Sequence, residues 1–163
     1  MRKQTEISLV VKRPHLFHQS ILNGLGISTE NQESSEGKRV GFRWDYKDEN
    51  FFECGEGWMP IIAAFAESLD HFLTEYEIAA VADDSTTEEA TVFINGAMSH
   101  HHRLCIIIDR SSEFDDAMLG KIRAMQEFSA ALSGMLCEIC GTPVTQAELD
   151  SHVRCAVCRC REL

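Results

Sequence analysis

The stretch "ECGEGWMPIIAAFAESLDHFL", residues 53–73, decides how the rest of the chain is read. Trp58, Ile61, Ile62, Phe65, Leu69, Phe72 and Leu73 recur at i, i+3, i+4, i+7, i+11, i+14 and i+15, one apolar stripe along a helix. Gly57 suits the helix entry, and Pro60 falls in the first turn, where its missing N–H does little harm. Trp58 is then a core anchor. Cys54, Gly55 and Gly57 read as a tight turn that lets the helix start close to a sheet. The competing reading makes Cys54 a reactive thiol, its pKa lowered by the helix N-terminus.

Working outward, three strands are expected after this helix: Glu77–Ala82, Ala90–Gly96 and Leu104–Asp109, with "AMSHHHR" (97–103) turning the chain between the last two. Cys105 lies in an apolar strand and is expected in the core. A second amphipathic helix follows, capped by Ser111 or Ser112, with Phe114, Met118, Ile122, Met125, Phe128 and Leu132 facing inward. Upstream, Glu6–Val11 reads as a short strand and the residues from Pro14 to about Leu25 as a helix. Residues 27–38 read as a mobile loop, and residues 39–45 as a strand with Val40, Phe42 and Trp44 on one face. The expected class is α+β: a small antiparallel sheet packed by two amphipathic helices, with a C-terminal zinc ribbon. Residues 1–50 form an N-terminal strand and helix segment, 51–134 the α+β core, and 135–163 the ribbon. With 163 residues, 44% hydrophobic and 25% charged, the chain has enough apolar material for such a core.

Five of the seven cysteines fall in the last 27 residues, in "CEICGTPVTQAELDSHVRCAVCRC" (137–160). Cys137-x2-Cys140 and Cys155-x2-Cys158 are separated by 14 residues. Each Cys-x2-Cys turn aims two thiolates at one point about 2.3 Å away, and two such turns complete a tetrahedron. Gly141 and Pro143 turn the chain between them, and Thr145-Gln146-Ala147-Glu148 is a capping box for a short helix. The expectation is one structural Zn²⁺ on Cys137, Cys140, Cys155 and Cys158, with His152 and Cys160 as spare ligands. Four protein ligands leave no position open for a reacting water, so the metal is expected to staple rather than catalyse.

The N-terminus has only a short apolar run, Ile7–Val11, before Lys12 and Arg13, and no segment approaches the ~18 apolar residues of a membrane span. A cytoplasmic setting is expected, where clustered cysteines hold metal more often than disulfides. The net charge of −11 is unevenly spread: no Lys or Arg occurs from Asp48 to His102. Such a chain is not built for unaided phosphate binding, and the ribbon lacks the basic face of nucleic-acid binders. Asp83, Asp84, Glu88 and Glu89 read as a solvated acidic loop, or as the partner-binding part of an acidic surface. His100, His101 and His102 read as a surface turn, because consecutive residues of an extended chain alternate in direction and at most two can share a metal. No phosphate-cradling glycine loop, G-x-S-x-G elbow or zinc-protease helix is present in the sequence.

Together, "CGEGWMPII" (54–62) and "CEICGTP" (137–143), with a second Cys-x2-Cys behind, resemble a family of small phage and prophage proteins. Members of that family join a Cys-Gly-x-Gly-Trp helix start, a short central sheet and a C-terminal zinc knuckle. The resemblance covers residues 53–160 and implies zinc ligation by the same four cysteines; it implies no catalytic residue. The resulting expectation is a non-enzymatic zinc protein of mobile-element origin. It would bind and inhibit or redirect a bacterial protein through an acidic surface. A nucleic-acid-associated zinc-ribbon regulator is the alternative, supported by Arg154, Arg159 and Arg161.

Overall fold

Helix α3 (Met59–Ala82) organises the molecule, and its predicted stripe is the centre of the core. Trp58, Ile62 and Leu69 are fully buried, Ile61 and Phe65 nearly so, and Phe72 and Leu73 pack at the margin. The computed structural model describes residues 2–17, 19–27, 51–82, 92–110, 116–144 and 153–160. The expected loop at 27–38, apart from Ile27, the strand at 39–45, the caps Ser111 and Ser112, and Phe114 lie outside them, as do Asp83, Asp84, Glu88 and Glu89.

The element order is α1 (Arg2–Lys12), a 3₁₀ turn (Pro14–Leu16), α2 (Gln19–Gly24), β1 (Phe52–Glu53), a 3₁₀ turn (Glu56–Trp58) and α3. Then come β2 (Val92–His100), β3 (Arg103–Arg110), α4 (Asp116–Ser133) and α5 (Ala156–Cys160). Two expected strands are helical instead. Glu6–Val11 lies within α1, where Glu6, Leu9 and Val10 are buried while Ile7 and Val11 are exposed. That is i, i+3, i+4 spacing, and packing of α1 on α3 outweighs the β preference of the Ile-Ser-Leu-Val-Val run. Glu77–Ala82 continues α3 to its end, since no Gly or Pro interrupts the helix-forming residues after Leu73.

The sheet has three strands in the order β1-β2-β3. The β2–β3 hairpin is antiparallel as expected, but β1 runs parallel to β2, so the sheet is mixed. Parallel neighbours require a crossover, and α3, which follows β1 and precedes β2, supplies it. Asn95 is bulged out of the hairpin, with Ile94 opposite Ile108 and Gly96 opposite Ile107. The bulge shifts inward positions from Val92 and Ile94 to Ala97. A Cβ at Gly96 would lie 2.7 Å from the Phe51 carbonyl, which instead accepts the Ala97 N–H at 3.0 Å.

Two side chains expected in the core point outward. Cys105 is exposed because its neighbours Leu104 and Ile106 take the inner face, and strand residues alternate. Phe128 is 69% exposed. The buried side of α4 runs instead through Met118, Ile122, Ser129 and Ser133. Ser129 Oγ donates back to the Met125 carbonyl of its own helix at 2.9 Å, while Ser133 and Gln126 reach the edge of β3. The Leu104 N–H donates to Ser133 Oγ at 2.8 Å, and Gln126 Nε2 donates to the Ile106 carbonyl at 2.8 Å. Helix α4 thus covers a strand edge that pairs with no further strand among the described residues, using its own hydrogen-bonding groups.

The described N-terminal residues belong to the same core: Val10, Leu16, Phe17, Ile21 and Leu22 join the apolar cluster of Trp58, Ile62 and Ile94. Arg13 Nε donates to Asp70 Oδ2 at 3.0 Å and His15 Nε2 stands 2.8 Å from Asp70 Oδ1, which ties the segment after α1 to the middle of α3. Arg13 and His15 hold the Asp70 carboxyl below its ordinary pKa, the His15 hydrogen bond being the largest cause. No helix among the described residues is long and apolar enough to cross a membrane.

Candidate metal centre

The chain leaves α4 at Ser133 and enters the first cysteine turn. Cys137 N–H donates to the Thr142 carbonyl and Gly141 N–H to the Cys137 carbonyl, both at 2.8 Å, closing a tight knuckle. Gly141 takes φ +74°, a conformation that costs glycine nothing. Leu136 and Pro143 pair as an antiparallel bridge at its base. The second turn runs from Cys155 into α5, with the Cys158 and Arg159 N–H groups both donating to the Cys155 carbonyl at 3.1 Å. The two turns are laced together by the Glu138 N–H, which donates to the Val153 carbonyl at 2.8 Å.

This brings the sulfurs of Cys137, Cys140, Cys155 and Cys158 within 4.8 Å of one another, with Cys140 and Cys155 3.6 Å apart. Thiolates bound tetrahedrally at about 2.3 Å stand roughly 3.8 Å apart, so the cluster has the dimensions of a four-thiolate metal site. Cys137, Cys155 and Cys158 are buried and Cys140 is exposed. The donor set is charge-tuned. The Cys140 sulfur lies 3.2 Å from the Thr142 hydroxyl, and that hydroxyl, the largest cause, together with the Thr142 N–H lowers the Cys140 thiol to about 6. Cys158 is pushed up to about 12, first by its hydrogen bond with Cys140 and then by burial. Four crowded sulfurs cannot all ionise without a cation, and a divalent ion removes that obstacle.

Of the two spare ligands, Cys160 does not join. Cys160 is exposed on α5 outside the four-sulfur group, and His152 and the Thr145–Glu148 capping box lie outside the described residues. The His turn is a two-residue hairpin loop, His100 opposite Arg103, with His101 and His102 at φ 47° and 62°. All three imidazoles are exposed, and among the described residues they form no metal-holding group of three. Cys54 is buried and stands outside the cluster, which fits the tight-turn reading.

The Cys54–Trp58 turn has a role that its glycines do not announce: it is the seat of the Cys137–Gly141 knuckle. Gly57 N–H donates to the Glu138 carbonyl at 2.8 Å, Gly55 N–H to Glu138 Oε1 at 3.2 Å, and the Trp58 indole N–H to the Leu136 carbonyl at 2.9 Å. A Cβ at Gly55 would lie 2.1 Å from the Glu138 carbonyl oxygen, and one at Gly57 2.2 Å from that of Cys137 and 2.4 Å from Gly141 N. Both glycines are therefore required by the close approach of the knuckle backbone. The sequence carries one clue to this contact. A fully buried Trp needs an acceptor for its indole N–H, and no acceptor is evident within its own helix.

No family model, curated protein or solved structure matches the chain.

Proposed function

We propose that this protein is a non-enzymatic binding protein whose four cysteines hold one structural Zn²⁺, and that it acts by docking on another protein. The convergence of four sulfurs within 4.8 Å carries the metal reading. An all-cysteine tetrahedron favours zinc over the hard cations, and its four ligands leave no open position for a substrate or water. The knuckle is bound to the start of α3, so the ion braces the core rather than an appended tail. Support for a protein partner comes from the Lys/Arg-free run Asp48–His102, whose described portion exposes Glu53, Glu56, Glu67 and Glu75. Asp70 is not free to serve such a surface, since Arg13 and His15 occupy it. On this reading Asp83, Asp84, Glu88 and Glu89 of the same run contribute to partner binding, and the partner is a basic bacterial protein that a mobile-element product inhibits or redirects.

Two measurements test this. Elemental analysis of protein purified without added metal should give one zinc per chain, lost on replacement of Cys137 or Cys155 by Ser. Pull-down from bacterial lysate should enrich one protein with or without nuclease, and reversing Asp83, Asp84, Glu88 and Glu89 to Lys should abolish capture with zinc content unchanged. Capture that survives the reversal refutes the acidic interface, and capture that nuclease abolishes points to nucleic acid instead.

A further inference from the structure

The four sulfurs are not equally placed, and the difference has chemical content. Cys137, Cys155 and Cys158 are buried at 0%, 8% and 7% exposure, whereas Cys140 is open to solvent. On the opposite turn the Cys155 sulfur stands 3.6 Å from it. A soluble oxidant therefore meets Cys140 first, and a resolving thiol already stands beside it. Two sulfurs at this separation need to close by roughly 1.5 Å to reach disulfide bonding distance.

We infer that Cys140 and Cys155 form an oxidation site at which a peroxide closes a cross-turn disulfide, ejects the metal and frees the knuckle from the Gly55–Trp58 turn. This rests on the metal reading above. The Cys140 thiolate attacks one peroxide oxygen, breaking the O–O bond, forming a sulfenic acid and releasing hydroxide. The Cys155 thiolate then attacks the Cys140 sulfur, forming the S–S bond and releasing the second hydroxide. Two sulfurs are oxidised and one peroxide is reduced by two electrons. The metal keeps two of its four thiolates and is lost to competing ligands.

The consequence reaches the core because Cys140 belongs to the knuckle that touches α3. The chain from Cys137 to Gly141 supplies the carbonyls and amide packed on Gly55 and Gly57, and Leu136 accepts the Trp58 indole N–H. Drawing Cys140 toward Cys155 strains that seat, and loss of the metal removes what holds it together.

The test uses the full chain in a Cys105→Ser, Cys160→Ser background, which removes two other exposed thiols, with Trp44→Phe so that emission reports Trp58. Zinc is quantified first. Hydrogen peroxide is then titrated while a chromophoric chelator reads released metal and mass spectrometry of alkylated peptides maps the disulfides. We expect one zinc released per peroxide consumed, a Cys140–Cys155 bridge as the main product, a red shift of Trp58 emission, and recovery on thiol reduction with added zinc. A main product joining Cys137 to Cys140 or Cys155 to Cys158 overturns the inference, as does zinc retained in excess peroxide. An unchanged Trp58 emission after bridging overturns the undocking step. A preparation without metal before oxidation overturns the metal reading itself, and the first measurement alone reveals it.

Discussion

Replacing Gly57 with Ala adds one methyl group in the space where the knuckle backbone sits. The added Cβ would stand 2.2 Å from the Cys137 oxygen, 2.4 Å from Gly141 N and 2.7 Å from the Glu138 oxygen. All three are backbone atoms, so no flexible side chain can swing away, and the knuckle has to retreat by about 1 Å to restore ordinary contact. That retreat breaks the Gly57 to Glu138 and Trp58 to Leu136 hydrogen bonds. The first contributes about 1 kcal/mol, and leaving the buried indole N–H unpaired costs about 1–3 kcal/mol. The expected loss is therefore about 2–4 kcal/mol. Alanine's restriction of the unfolded chain returns only about 0.4–1 kcal/mol, so the clash decides the sign. At roughly 2–4 °C per kcal/mol for a chain of this size, Tm should fall by about 10 °C. If about 3 kcal/mol of this is felt at the site, zinc affinity should fall roughly a hundredfold. Thermal melts and zinc competition with a chromophoric chelator read both effects. Gly120→Ala is the matched control: its Cβ meets no heavy atom within 4 Å, and the change should stabilise α4 by about 0.5–1 kcal/mol. A Gly57→Ala protein with unchanged Tm and zinc affinity would refute the docked-knuckle argument.

Other expectations follow from the same geometry. Ser133→Ala leaves the Leu104 N–H without its acceptor and should cost about 1–3 kcal/mol, with faster amide exchange at Leu104; unaltered exchange there would show that α4 does not protect the β3 edge. His101→Asn with His102→Gly puts the residues that left-handed hairpin turns favour at φ 47° and 62°, and should raise stability by about 1 kcal/mol in urea unfolding. A loss instead would mean that the imidazoles make contacts worth more than the backbone strain. Asp70→Asn tests the tie between α3 and the N-terminal segment. Because the Asp70 pKa is lowered from 3.8, its stabilisation is complete above that pH and disappears as pH falls through the lower folded value. The stability gap between wild type and Asp70→Asn should therefore be largest near neutrality and narrow as pH falls below 3.8, and a gap that does not narrow in acid contradicts the assignment.

The helix from Met59 to Leu73, the β2–β3 hairpin and the convergence of the four cysteines were legible in the sequence for local reasons, whereas the helix's continuation through Glu77–Ala82 was not. A 3.6-residue apolar repeat, a turn between two apolar runs and paired Cys-x2-Cys steps each specify their geometry within a few residues. Where local signals were ambiguous, packing decided. The Ile-Ser-Leu-Val-Val run suits a strand or one side of a helix, and contact with α3 selected the helix. Leu104 to Ile108 is apolar throughout, so nothing local says that Cys105 faces out. Phe128 faces out while Ser133, one turn on, takes the buried side of α4 and accepts the Leu104 N–H of a strand edge, a demand that exists only once β3 is in place.

By itself, then, the sequence determined which four thiols converge and which helix forms the core, since both depend on spacing along a short stretch of chain. Tertiary structure alone decided that these two features touch. Gly55, Gly57 and Trp58 lie about 80 residues before Glu138 and Leu136, and no local pattern encodes contact across such a separation. The glycines are needed because a distant backbone approaches them to within a methyl group's radius, and that approach exists only in the folded molecule.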